Sequence, residues 1–153
     1  MKSIAIIGSG SWGAALAIHL AKIGHTIKMW AYLQEEADLI NNERKCKFLP
    51  NVVIPDGVIC ATDFETVVQG SEMVLIVTPS KAVRDVTKQF KQYLTDQQII
   101  ICAKGFEKET LYTLNEILEE EIPGFKVGGL SGPSHAEEVS ARNSNSTCDS
   151  FEP

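Results

Sequence analysis

The sequence predicts an α/β protein built on one doubly wound, mostly parallel sheet with helices on both faces. Short apolar runs alternate with amphipathic stretches along most of the chain, which is the pattern of strand–helix–strand units. The runs are nearly continuous in aliphatic or β-branched residues, as strands covered on both faces must be. The first of them, Ile4-Ala5-Ile6-Ile7, passes directly into Gly8-Ser9-Gly10-Ser11-Trp12-Gly13 and then into a helical stretch. Strand, G-x-G-x-x-G turn and helix in that order is the setting in which this otherwise weak glycine pattern becomes informative.

Strands are expected over Ser3–Ile7, Thr26–Trp30, Val58–Ala61, Met73–Thr78, Gln98–Ala103 and Lys126–Leu130. Helices are expected over Trp12–Ile23, Glu35–Asn42, Asp63–Gln69, Lys81–Tyr93 and Leu111–Glu121. Gly24 is placed to stop the first helix, and Asp63 to cap the third in front of Phe64. The segment Glu43–Pro55, with Leu49-Pro50 and Ile54-Pro55, reads as an irregular loop. Right-handed crossovers would join the strands. From Asn143 onward no periodicity is left, so a domain over residues 1–142 is expected to precede a disordered tail over 143–153.

The length suits one domain with a real core. A formal charge of −6 and the lack of a basic cluster argue against a nucleic-acid partner. No apolar run reaches bilayer length, so no membrane span is expected. Lys2 and Ala14-Ala15-Leu16-Ala17 superficially resemble a secretory signal, but glycines and serines at 8–11 and 13 interrupt its would-be apolar centre. The four cysteines, at 46, 60, 102 and 148, have no C-x-x-C spacing. Cys60 and Cys102 lie in strand-like runs and are expected as buried free thiols rather than metal ligands, in a cytoplasmic protein with no metal site.

Open α/β sheets bind ligands outside the carboxyl ends of their strands. The glycine turn lies there, with Gly8 permitting a tight turn, Gly10 letting a pyrophosphate approach and Gly13 letting helix and strand pack closely. Thr78-Pro79-Ser80 follows the fourth strand, Lys104-Gly105 the fifth, and Ser131-Gly132-Pro133-Ser134-His135 the sixth. Turn residues follow any strand, yet a lysine and several hydroxyls on the phosphate side suit a phosphorylated ligand. Lys104 is the sharpest candidate, because it ends a buried strand and precedes a glycine. Ser134 is equally suited to donate to a ligand or to cap a turn. His135 lacks a paired carboxylate and is set aside. The acid that usually binds a ribose 2′-OH stands about 20 residues past the glycines. That place holds Ala31-Tyr32-Leu33, while Glu35 and Glu36 read as first-turn helix residues. The expected dinucleotide is therefore NADP or NAD with a lean towards NADP, since nothing acidic at 31–33 repels a 2′-phosphate and no arginine clamps it.

Gly8–Gly13, Trp30-Ala31, Phe48-Leu49-Pro50-Asn51, Val77–Ser80, Ala103-Lys-Gly-Phe-Glu107 and Leu130–Val139 share the order and spacing of bacterial-type NAD(P)-dependent glycerol-3-phosphate dehydrogenases. Residues 1 to 142 resemble the N-terminal, Rossmann-type domain of that family, and the last motif is far more specific than the glycine fingerprint. The resemblance implies hydride transfer between NAD(P)H and dihydroxyacetone phosphate, giving sn-glycerol 3-phosphate for phospholipid synthesis. It implies cofactor contacts at Gly8, Gly10, Ser11, Trp12, Gly13, Tyr32, Pro79, Lys104 and Ala136, and substrate contacts at Lys104, Gly132 and Ser134. The family continues beyond the position of Arg142 into a helical domain that carries the lysine proton donor and the groups holding the substrate phosphate. No catalytic donor is thus expected in this chain, which alone is expected to be inactive, and the intact enzyme is compatible with a homo-oligomer. Two other readings stay open: a stand-alone dinucleotide-binding module without catalysis, and a related dehydrogenase for another 2-oxo or 3-hydroxy substrate. The run from Ser131 to Val139 disfavours the latter.

Overall fold

Along β1 (Ser3–Ile7), Ile4 and Ile6 enter one core cluster while Ala5 and Ile7 enter another. This is the two-residue period of a strand buried on both faces. The computed structural model, which describes residues 1–132 and 135–141, sets five more strands beside it. They are β2 (Thr26–Trp30), β3 (Val58–Ala61), β4 (Met73–Ile76), β5 (Gln98–Ile101) and β6 (Val127–Gly129). All pairings are parallel and the order is β3-β2-β1-β4-β5-β6. The chain thus winds outward in one direction from β1 and in the other from β4, and a crevice opens at the carboxyl edge between them.

The helices are α1 (Ser11–Lys22), α2 (Gln34–Glu43), α3 (Phe64–Val68), α4 (Val83–Phe90), α5 (Leu114–Glu121) and α6 (Ala136–Ser140). α1, α2 and α6 cover the face of Ile4 and Ile6, and α3, α4 and α5 cover the face of Ala5 and Ile7. Gly24, at φ +100, closes α1 as expected: its N–H donates to Ala21 and that of His25 to Leu20, the paired bonds of a Schellman stop. Asp63 caps α3 by accepting from the Thr66 N–H at 2.7 Å. Arg44 ends α2 in the left-handed region, and its guanidinium donates to the Pro55 and Val58 carbonyls at 3.3 and 2.7 Å. That fastens the irregular loop at its far end. Asn41 bonds both the N–H and the carbonyl of Cys60, so the exposed edge of β3 is partly covered by a side chain.

β1, β2 and β3 have the bounds the sequence predicts, whereas β4 and β5 each stop two residues early. Val77 and Cys102 donate one last bond apiece, to Ile7 and Ile76, and the chain then leaves the sheet to wall the crevice. β6 is shorter by one residue at each end. The helix expected over Lys81–Tyr93 is α4 flanked by two 3-10 turns, Ser80–Ala82 and Lys91–Tyr93. The one expected from Leu111 begins instead at Leu114. Thr113 and Glu116 form a reciprocal capping box there, and Leu111 sits at φ +60, which no helix residue adopts. α6 was not anticipated. Five residues show no period, and this helix is held by docking on α1, with Lys22 Nζ donating to the Ser140 carbonyl at 3.3 Å.

Cys46, Cys60 and Cys102 are free and buried, and burial pushes the Cys60 and Cys102 thiols up to about 12. Cys148 and the tail expected over 143–153 lie outside the described residues. Among the described residues no helix is long and apolar enough to cross a membrane.

Candidate functional site

The glycine turn leaves β1 where the strand order reverses, and its three glycines are required for different reasons. Gly8 lies at φ +135, and a Cβ there would stand 3.1 Å from the Val77 carbonyl. A Cβ on Gly13 would run into the carbonyl oxygen of Gly8. Gly8 lets the turn approach the backbone that follows β4, and Gly13 lets α1 pack against the turn. A Cβ on Gly10 would meet nothing within 4 Å, so the fold itself has no need of glycine there. α1 begins just after Gly10 with no side-chain cap and no acidic residue in its first turn. Its first N–H groups and the positive end of its dipole are left for something outside the helix.

What they face is a cavity of about 550 Å³, walled by residues 8–13, Trp30, Tyr32, Glu36, Phe48, 77–80 and 102–104. Its size falls in the usual range for small-molecule and cofactor sites. Trp30 is fixed by stacking on Phe64, ring centres 4.5 Å apart, and by donating from Nε1 to the Thr62 carbonyl at 2.9 Å. Tyr32 leans edge-on to Trp30 and is 79% exposed.

Two further groups in this wall, Thr78 and Glu36, read in the sequence only as a turn hydroxyl and a first-turn helix acid. Thr78 is 4% exposed, and its Oγ1 is a buried side-chain oxygen without a hydrogen-bond partner among the described residues. An unmet buried hydroxyl costs about 1–3 kcal/mol, so a polar ligand atom fits there. Glu36 lies in the first turn of α2, yet its carboxylate reaches back and accepts from the Ser9 hydroxyl at 2.8 Å. The Thr78 hydroxyl is legible only as a turn residue in sequence, and Ser9 and Glu36 stand 27 residues apart.

On the opposite wall, the loop after β5 presents Lys104. Gly105 lies at φ +128, and a Cβ there would stand 2.9 Å from the Ser80 hydroxyl. Three residues past Lys104, Glu107 accepts two parallel bonds from Arg84 of α4, which also donates to Glu120 and Glu121 of α5. The Arg84 guanidinium, with help from the Thr110 hydroxyl, holds the Glu107 carboxyl down to about 2.

The structure therefore gathers Gly8, Gly10, Ser11, Trp12, Gly13, Tyr32, Pro79 and Lys104 around one cavity. Gly132 and Ala136 do not stand in its wall. Ala136 is packed in the core with α1 instead. Ser134 lies outside the described residues.

Residues 3–152 match the family model described as NAD-dependent glycerol-3-phosphate dehydrogenase N-terminus. A protein of Fusobacterium nucleatum named glycerol-3-phosphate dehydrogenase [NAD(P)+] is 43% identical over 144 residues, which cover 91% of this chain and 43% of that protein. A protein of the same name from Bacillus pumilus is 38% identical over 148 residues, covering 94% of this chain and 43% of that protein. A crystal structure of glycerol-3-phosphate dehydrogenase from Coxiella burnetii superposes with a TM-score of 0.86 at 33% identity, over 92% of this chain and 43% of that one. The chain thus spans less than half the length of each of these relatives.

Proposed function

The chain belongs to the NAD-dependent glycerol-3-phosphate dehydrogenase N-terminal family, and we propose that it forms the dinucleotide-binding part of an enzyme interconverting dihydroxyacetone phosphate and sn-glycerol 3-phosphate. The observation that carries this reading is Gly10. It is the one glycine of the turn with open space where its Cβ would be, directly over the uncapped N-terminus of α1. A pyrophosphate at that point would accept from the free N–H groups and lie against the positive dipole end.

NAD(P)H bound there supplies the hydride. The chain's own residues hold and orient it: Gly10 admits the pyrophosphate, Thr78 offers an unspent hydroxyl, and Trp12 and Tyr32 supply aromatic wall. Lys104 brings positive charge to the same cavity, suited to a substrate phosphate or to the charge developing on a ketone oxygen as it is reduced. We assign the substrate contacts at Gly132 and Ser134, and the cofactor contact at Ala136, to the segment that follows β6. The proton donor and the remaining phosphate-holding groups we assign to the rest of the intact enzyme. The product suits the backbone of glycerophospholipids, and buried free thiols suit a reducing cytoplasm.

Calorimetric titration of the protein with NADH and NADPH tests the placement. Gly10→Val would block the close backbone approach, and at least about a tenfold loss of affinity is expected. Undiminished binding by that variant would move the dinucleotide elsewhere.

A further inference from the structure

The Glu36 carboxylate stands in the wall of the dinucleotide cavity, beside the turn that would hold the pyrophosphate and at the carboxyl end of β2. In sheets of this winding, the dinucleotide's adenosine ribose lies at the end of the second strand, where an acid reads its hydroxyls. From the sequence that acid is sought at Ala31–Leu33, and it is not there. α2 starts at Gln34 and turns its first turn back over the glycines, so Glu36 arrives at the same place in space from a later position in the chain.

Several contacts hold this carboxylate in place. Ser9, itself buried, donates to Glu36 Oε2 at 2.8 Å from within the glycine turn. Cys46 donates from beneath to the Ser9 carbonyl at 3.6 Å and holds that turn in place. The Cys60 thiol, already raised by burial, is raised further by the Glu36 charge. Two cations near the start of the irregular loop have other contacts. Arg44 is spent on the Pro55 and Val58 carbonyls and on Asp56, and the Lys47 ammonium lies 5.7 Å from the centre of the Phe48 ring. Glu35 stands in the same first turn of α2, which places a second acid at that helix end.

We infer that Glu36, held by Ser9, reads the adenosine ribose and makes NAD(H) rather than NADP(H) the preferred dinucleotide. This rests on the dinucleotide reading of the cavity and departs from the lean towards NADP that residues 31–33 suggest. A 2′-phosphate placed against a fixed carboxylate is repelled, whereas a 2′-hydroxyl can donate to it.

The test is a set of dissociation constants for NADH, NADPH and the 2′-deoxyadenosine analogue of NADH. The protein should bind NADH about tenfold or more tighter than NADPH, and the deoxy analogue about threefold or more weaker than NADH. Glu36→Gln keeps a partner for Ser9 and removes the charge. It should bring NADH and NADPH within about threefold of each other, chiefly by tightening NADPH. A wild-type preference for NADPH, or an unchanged ratio in Glu36→Gln, overturns the inference. Loss of NADPH binding in Lys47→Met would do the same by assigning phosphate recognition to Lys47. The wild-type ratio and the deoxy analogue need no variant, so they decide the matter even if Glu36→Gln folds poorly. Absence of binding by both dinucleotides would instead sink the reading of the cavity itself, and this inference with it.

Discussion

Arg84 meets Glu107 edge to edge, Nε to Oε1 at 2.6 Å and Nη2 to Oε2 at 2.8 Å. The pair ties α4 to the loop that carries Lys104, while Gly105 is pressed on Ser80 from the other side. A bidentate ion pair with both side chains largely shielded is geometrically stricter than ordinary surface pairs. Because the folded-state carboxyl titrates at about 2, below its ordinary value of 4.5, the pair stabilises the fold above that ordinary value. Its contribution is lost as pH falls through the interval from there to about 2. Thermal unfolding followed from neutral to strongly acid pH should show a steep loss across that interval. Glu107→Gln should flatten it, leaving the smaller slopes due to Asp63, Glu116 and Glu121, whose carboxyls are also held low. An unaltered slope would mean the pair adds nothing to stability.

Gly10 and Gly13 make a contrasting pair, one with open space at its would-be Cβ and one with none. Gly→Ala within a helix is ordinarily stabilising by about 0.5–1 kcal/mol. At Gly13 the new Cβ has only the backbone carbonyl of Gly8 to displace, so the overpacking cost of about 1–3 kcal/mol should dominate. Gly13→Ala should lower the melting temperature. Gly10→Ala should leave melting nearly unchanged and weaken dinucleotide binding. Equal effects of the two on stability would undo the division of labour argued for these glycines.

Thr78→Val should raise stability and lower affinity at once. The variant removes a buried hydroxyl that has no partner among the described residues and keeps the side chain's shape. A gain of about 1 kcal/mol in unfolding free energy is expected. Weaker binding of the reduced dinucleotide should accompany it. If both quantities move in the same direction, the hydroxyl does not face the ligand.

The central strands are legible in the sequence because burial on both faces leaves unbroken apolar runs with polar residues at their ends. The same signal misplaces the ends of β4 and β5. Thr78 and Cys102 stay buried after the chain leaves the ladder, Val77 is half-buried, and composition does not distinguish a sheet interior from a cavity wall. The glycine turn and Lys104 are legible because each is tied to the end of a strand. The contact of Glu36 with Ser9 is not, since it depends on the angle at which α2 departs from β2. The start of α5 was legible and passed over: Thr113-Leu-Asn-Glu116 is a capping box in sequence as well as in space.

A polypeptide of residues 1–153 by itself is expected not to reduce dihydroxyacetone phosphate at a useful rate. Hydride transfer to a ketone develops negative charge on oxygen, which needs a positioned acid and electrostatic stabilisation. Of the described residues walling the cavity, Lys104 alone is a cation, and it is exposed on a loop. The chain spans 43% of the length of its Fusobacterium nucleatum relative, and the proposed function assigns the proton donor and the phosphate-holding groups to the rest of the enzyme. Lack of a general acid costs about 10²–10⁴-fold in rate. Loss of substrate orientation is worth up to about 7–11 kcal/mol of barrier. The two losses act on one geometry and do not simply add, but either is severe. The measurement is oxidation of NADH and NADPH by purified protein with dihydroxyacetone phosphate present. Binding of the dinucleotide without turnover is expected, and rates near the ordinary enzymatic range of about 1–10³ s⁻¹ would show that Lys104 and its neighbours complete the chemistry alone.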